Sequence, residues 1–462
     1  MVLSDVVDIV SGLRHIADGM EILSGAGRRM LFSLPFTVDA SSLNTVLEET
    51  EHMCSIVGKP ENADRLSMLG MKLMQVRDIG HTIGRLKEKS VRDDVELFEI
   101  KNFAILSESI RELCEASGID FIPIPGLEEV IRILDPEQKR VPHFYIYDAY
   151  SSELASLRAA LKKQNNEESG EAEHLRIECL KIEDNIRRML SDRLKPYAEN
   201  LDKAFNGVAR VDIVLAKAGL VFRLNLTKPR ISDSGTVFKG LFNPMLKEVL
   251  AGAGKCFQPV DISMGKGPVL ITGANMAGKS VLLKTVALAY YMMQFGFYVP
   301  AEYAEMHPVS SIRISMGDGQ DEMNGLSSFG SEMMKLDEMI NRVEKGEEII
   351  ALIDEPARTT NPAEGVAIVN AMLDFLEENK VMALVTTHYG GIRSACRKLR
   401  VKGFMEDKVK GSLGVDRLND YIDYSLEENT DGDVAHEAIR ISRILGINAG
   451  FLERAEFYLK TE

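Results

Sequence analysis

Residues Gly273-Ala274-Asn275-Met276-Ala277-Gly278-Lys279-Ser280 follow directly on the apolar run Pro268 to Thr272 and lead into an amphipathic stretch that begins at Val281. The spacing is G-x-x-x-x-G-K-S between a strand and a helix, the context in which such a loop wraps phosphate oxygens. Its glycines let main-chain N–H groups turn inward around an anion, and the helix adds its positive end at the same point. Lys279 would neutralise the outer phosphates of a nucleoside triphosphate, and Ser280 would ligate Mg²⁺.

A second group belongs with the first. Ile349 to Ile353 is an apolar strand that ends in Asp354-Glu355. A buried strand delivering two carboxylates at its end suits the metal side of a phosphate loop. Asp354 would hold the Mg²⁺ shell, and Glu355 would orient or deprotonate an attacking water. The plainer reading is a carboxylate pair that caps a strand–loop turn. A third strand, Val381 to Thr386, ends at Thr387-His388-Tyr389. There His388 would reach the outermost phosphate or the water; otherwise it is an ordinary satisfied histidine.

These residues need an α/β sheet to hold them, and the back of the chain supplies one. VFRLNL, TVFKGLF, PVLITG, SIRISM, IIALID and MALVTT are short β-rich runs, several of them separated by helical stretches. The front is helical. Val7, Val10, Leu13, Ile16, Met20 and Leu23 recur at three- and four-residue steps, which places an apolar stripe on one helical face. Similar periodicity runs from Leu66 to Leu86 and from Phe98 to Leu113, with a break at Pro123, Pro125 and Gly126. Between Tyr150 and Leu201 two amphipathic helices flank a polar turn, Asn165 to Glu171, which reads as a helical hairpin with an acidic, solvated tip.

Length and composition bound the rest. A chain of 462 residues with 45% hydrophobic content has room for several packed domains. The 55 Lys and Arg against 70 Asp and Glu leave a net charge of −15, which argues against holding nucleic acid by bulk electrostatics. The five cysteines are scattered without a C-x-x-C pair, which fits a reducing compartment and suggests neither a disulfide framework nor a zinc site. Asp5 and Asp8 sit where a signal peptide needs a cationic start, and no run approaches a membrane span. The expectation is a soluble, cytoplasmic protein with no membrane partner.

In family order these motifs resemble the ATPase domain of the MutS family, within the ABC-type ATPases. GANMAGKS resembles the family's GPNMGGKS; Phe297 to Glu305 is similar to the segment after the phosphate-loop helix; and Ser327-Ser328-Phe329-Gly330-Ser331-Glu332-Met333 resembles S-T-F-x-x-E-M. Asp354 to Thr360, with Gly365 beyond, resembles D-E-x-G-R-G-T-x-x-x-x-G, and Thr387-His388-Tyr389 matches T-H-Y. Arg210 to Ala218 is similar to the element that ends the family's lever helices, and Ala435 to Leu459 resembles its closing helices.

The resemblance implies an α plus α/β chain. Residues 1–218 would form a helical core and lever hairpin, and 219–462 an ABC-type P-loop ATPase domain with C-terminal helices. It implies ATP and Mg²⁺ as cofactors. Gly273 through Val281 would hold the nucleotide, and Lys279, Glu355 and His388 would serve hydrolysis. Phe257 would stack on adenine, with core packing as the alternative. Ser327 and Ser328 would face the nucleotide of a second subunit, in a homodimer or a heterodimer with a MutS-like chain; an ordinary helix N-cap is compatible with that role.

Several positions depart from the family pattern. Ala274, Ala277 and Val281 stand where the family has Pro, Gly and Thr, and Ala357 and Thr359 replace two glycines. The chain is too short for the mismatch-reading and connector domains, its hairpin too short for a DNA clamp, and no nuclease module is visible. Glu167, Glu168, Glu171 and Glu173 at the hairpin tip would repel phosphates. Two partners therefore stay open. One is the mismatched or branched DNA that the family binds in repair. The other is a protein client, such as a cobalamin-dependent aminomutase, reactivated by ATP-driven lever movement. A nucleotide-binding scaffold without turnover is a third class, against which Glu355 and His388 argue.

Overall fold

The computed structural model describes residues 1–10, 12–88, 90–163, 170–273, 277–316, 328–405, 420–429 and 437–461. Up to Leu224 the described elements are helical. They are α1 (Leu3–Val6), α2 (Leu13–Asp18), α3 (Gly25–Phe32), α4 (Ala40–Val57), α5 (Ala63–Leu73), α6 (Gly80–Leu86), α7 (Asp94–Ser117), α8 (Glu128–Leu134), α9 (Ser152–Lys163), α10 (Gly170–Leu194) and α11 (Ala198–Leu224). The N-termini carry local reasons for starting where they do. Asp39 accepts the Ser42 amide ahead of α4, and Asp93 and Glu96 form a reciprocal capping box at α7.

Two expectations change here. The opening stripe is buried from Val7 to Met20, but only Leu13 and Ile16 of it lie on a helix, α2; Val7 and Val10 sit in the turn after α1, and Gly12 at φ +95° prevents one continuous helix. VFRLNL is not a strand. Leu220 and Leu224 lie one helical turn apart and are both buried, so α11 runs on through the run to a left-handed Asn225. The helix thus passes without interruption through 218/219.

The strands come later in two sheets. β1 (Arg230–Ile231), β2 (Thr236–Leu241), β3 (Val260–Met264) and β5 (Tyr303–Met306) form a four-stranded sheet in the order β1-β5-β2-β3. β4 (Pro268–Thr272), β6 (Ser311–Ser315), β7 (Ile349–Ile353), β8 (Met382–Thr387), β9 (Arg397–Phe404) and β10 (Ile422–Glu428) form a six-stranded sheet in the order β10-β9-β4-β8-β7-β6. Only the β10–β9 pair in that sheet is antiparallel. The helices among the strands are α12 (Pro244–Gly252), α13 (Lys279–Gln294), α14 (Ser328–Glu344), α15 (Pro362–Glu378), α16 (Glu437–Ile444) and α17 (Ala449–Thr461).

Strand alternation sorts the large sheet into two faces. Ile350 and Leu352 join the core that holds α13 and the N-terminal helices, while Ile349, Ala351 and Ile353 join the one under α14 and α15. α13 is apolar all round and buried over most of its length, as a helix packed on several sides must be. A separate core fills the helical half around α7, α10 and α11. Among the described residues, no helix is long and apolar enough to cross a membrane.

Candidate active site

Three neighbouring parallel strands end side by side. β8 lies between β4 and β7, with Thr387 opposite Thr272 and Val385 opposite Ile353. The phosphate loop, His388 and the acid pair therefore project from one sheet edge, where open α/β sheets bind ligands. Gly273 and Gly278 adopt φ +147° and +74°, conformations open to glycine. Ala274, Asn275 and Met276 lie outside the described residues. Ala277 is buried, and Ser280 and Val281 stand on the first turn of α13, with Ser280 exposed.

Lys279 is nearly buried. Its Nζ donates to Gly273 O at 2.7 Å and lies 3.5 Å from Glu355 Oε1. The acid pair is fixed from the next strand. Thr386 Oγ1 donates to Asp354 Oδ1 at 2.6 Å and accepts the Glu355 amide at 3.0 Å, while Asp354 N reaches Ser315 O at 2.8 Å. Glu355 itself sits at φ +45°. Its Oε2 is 3.6 Å from His388 Nδ1 and 3.8 Å from Arg358 Nη1, beyond direct hydrogen bonding. His388 Nδ1 is enclosed and has no hydrogen-bond partner in the described structure. Such an atom next to a carboxylate leaves room for a bridging water or phosphate oxygen.

A largely apolar cavity of about 620 Å³ opens beside Gly278 and Lys279, within the size range of nucleotide-scale pockets. Phe257 lines it and is half-buried. Tyr424 of β10 also lines it, and a Cβ at Gly278 would stand 3.0 Å from its ring. Gln258 holds that strand in place, accepting the Tyr424 amide at 3.1 Å and donating to Asp423 Oδ1 at 2.8 Å. Ser328 opens α14, and Ser327 lies outside the described residues, as does the hairpin tip from 164 to 169.

Sequence reasoning assigned no role to Thr386, Tyr424, Gln258 or Glu332. Thr386 carried a weak signal, its hydroxyl one residue ahead of the T-H-Y run. Glu332 was visible only as a motif letter; in the structure its carboxylate accepts the Ala357 amide at 2.7 Å, and burial pushes its pKa up against that bond. Tyr424 and Gln258 meet only through the fold.

The chemistry of this edge is a glycine cradle, a buried cation, paired carboxylates and an unpartnered imidazole nitrogen. Such a set fits a Mg²⁺–nucleoside triphosphate. The family model for MutS domain V matches residues 269–454. Endonuclease MutS2 of Caldicellulosiruptor bescii is 26% identical over 438 residues, 92% of this chain and 51% of the relative. Endonuclease MutS2 of Carboxydothermus hydrogenoformans is 29% identical over 301 residues, covering 64% of this chain and 36% of the relative. The DNA mismatch repair protein MutS of Thermus thermophilus is 34% identical over 221 residues, 47% of this chain and 26% of the relative. The chain thus spans about half the length of such relatives, or less. Residues 269–454 are thus matched by MutS domain V, and the chain is similar to MutS2 and MutS proteins on both sides of that domain's start.

Proposed function

We propose that the chain binds and hydrolyses ATP with Mg²⁺ at the shared edge of β4, β8 and β7. The observation that carries this reading is the convergence of Lys279 and His388 on opposite oxygens of Glu355, at 3.5 and 3.6 Å. A carboxylate so flanked is held where it can orient a water and accept its proton, with Lys279 next to the phosphates. Ser280 and Asp354 are the residues that would hold Mg²⁺, which when bound supplies charge neutralisation at the phosphate oxygens. Phe257 and Tyr424 supply aromatic surface for the base. The signature serines, Ser327 and Ser328, complete the site of a second MutS-like subunit, so the working unit is a dimer. The cycle moves the helices of α9 to α11.

The relatives' names, an endonuclease and a DNA mismatch repair protein, support a client in DNA metabolism. The net charge of −15, with Glu171 and Glu173 on α10, favours a second reading in which the client is a protein. One assay separates them. ATP turnover is measured alone, with duplex DNA, with branched DNA and with lysate protein, at two salt concentrations. Stimulation by branched DNA that falls steeply with salt identifies DNA as the client. Stimulation by protein alone identifies the second reading, and no turnover under any condition refutes the hydrolytic assignment.

A further inference from the structure

The helix that carries the phosphate loop has an unusual far end. α13 closes with Gly296 at φ +73°; Gly296 donates to Met293 O and Phe297 to Met292 O, each at 2.8 Å. The carbonyls of Phe295 and Gly296 then sit at a buried helix C-terminus, where unpaired acceptors and the negative end of the dipole favour a cation. Lys217 of α11 supplies it. Only 3% exposed, it donates from Nζ to Gly296 O at 2.7 Å and to Phe295 O at 3.3 Å, with the Phe297 ring centroid 4.6 Å away.

The same stretch of α11 makes the complementary contact at another helix. Asp212 is fully buried and accepts the Leu23 amide at 3.1 Å, the Ser24 amide at 2.7 Å and the Ser24 hydroxyl at 2.5 Å, where Ser24 caps α3. Thus α11 holds one helix N-terminus with an anion and one helix C-terminus with a cation. Buried charges are poor sources of net stability compared with apolar side chains of the same volume. Their physical advantage here is direction: hydrogen bonds to specific carbonyls and amides fix where α11 lies.

We propose that Lys217 is a positioning residue that passes the state of the phosphate loop to α11. The proposal rests on the ATPase reading above and names the contact through which that site reaches α11, beside the bonds that Gln294 makes to Thr37. α13 is close-packed and behaves as a rod, so a displacement at Lys279 reaches Gly296 with little loss. Gly296 has no slack on its other side, because a Cβ there would stand 2.5 Å from Val46 Cγ1 of α4. Movement at this end either carries Lys217 with it or breaks both hydrogen bonds.

Hydrogen exchange of the full chain with and without a non-hydrolysable ATP analogue and Mg²⁺ tests this. In the parent, exchange changes at Gly278–Leu283, at Phe295–Phe297 and at Asp212–Ala218. In Lys217→Met the change at Gly278–Leu283 persists, with analogue affinity within about twofold of the parent, while the change at Asp212–Ala218 is lost. Lys217→Arg, which keeps charge and donors, restores at least part of it. An Asp212–Ala218 response of parental size in Lys217→Met overturns the proposal. Should that variant fail to fold, the parent decides alone. A common titration midpoint for Phe295–Phe297 and Asp212–Ala218 supports the contact, and a response in α11 with none at Phe295–Phe297 overturns it. Absence of any change at Gly278–Leu283 in the parent overturns the nucleotide reading and this proposal together, an outcome distinct from failure at α11 alone.

Discussion

The Glu332 carboxylate accepts the main-chain amide of Ala357 at 2.7 Å, joining the second turn of α14 to the loop that follows the acid pair. Ala357 is buried and held at φ +61°, a left-handed conformation that costs a non-glycine residue about 1–2 kcal/mol. The loop keeps this shape because both of its polar faces are bound: the amide by Glu332, and the carbonyl by the Tyr389 hydroxyl at 2.8 Å. The signature helix and the T-H-Y loop thus clamp one residue between them.

The clamp gives a first prediction. Glu332→Ala strands a buried amide and removes a bond to a charged group, a loss of about 1.5–3 kcal/mol. ATP turnover falls by about tenfold or more while ATP affinity, set by the phosphate loop, changes little. Glu332→Gln retains an acceptor oxygen and stays closer to the parent. Steady-state kinetics on the three chains check this.

Gly365 is explained by Tyr389. A Cβ at Gly365 would lie 2.6 Å from the Tyr389 hydroxyl oxygen and 2.8 Å from the ring carbon that bears it. Gly365→Ala destabilises by about 1–3 kcal/mol through overpacking. Tyr389→Phe costs about 1 kcal/mol through the lost bond to Ala357. The double variant is less destabilised than the sum, because the phenyl ring lacks the atom that clashes most. Denaturant titration of the four chains gives the coupling directly.

Tyr424→Ala and Phe257→Ala remove aromatic surface from the cavity without touching Lys279, Asp354 or Glu355. Each raises the KM for ATP by about tenfold and leaves kcat nearly unchanged, the pattern of lost ground-state binding. Gly278→Ala is more severe, since it combines φ +74° with a Cβ 3.0 Å from Tyr424.

Burial pushes the Lys217 ammonium down to about 7 from its ordinary 10.5, with Glu49 opposing the shift and Arg210 adding to it. Between those values the unfolded chain binds more protons than the folded one, so the contribution of Lys217 to stability rises with pH from about 7 to 10.5 and is flat below. Lys217→Met removes this slope. Unfolding free energies at pH 7 and pH 9.5 show a larger gain with pH in the parent than in the variant, on the order of a few kcal/mol.

What the sequence revealed follows from how local each signal is. The phosphate loop and the two strand ends are contiguous motifs, so Lys279, Asp354, Glu355 and His388 could be named from residue type and spacing alone. The run VFRLNL misled because it is rich in β-formers, yet burial of Leu220 and Leu224 one helical turn apart decides for helix. β9 was missed for the opposite reason: Arg397, Lys398, Arg400 and Lys402 mask the alternation in which Leu399 and Val401 face the core. Tyr424 and Gln258 are separated by 166 positions and become neighbours only when β10 folds beside the Gln258 segment. Lys217 stands in the sequence only as one residue of the Arg210–Ala218 run; the fold alone places its ammonium against the end of α13.

The central claim is that the converging β4, β8 and β7 ends hydrolyse ATP. Phosphate release is to be measured under saturating Mg²⁺-ATP for the parent, Lys279→Ala and Glu355→Gln, with nucleotide binding recorded in parallel. The parent turns over; Lys279→Ala loses binding and turnover together; and Glu355→Gln still binds ATP while its turnover falls by about two orders of magnitude or more. Turnover by both variants at the parental rate contradicts the account.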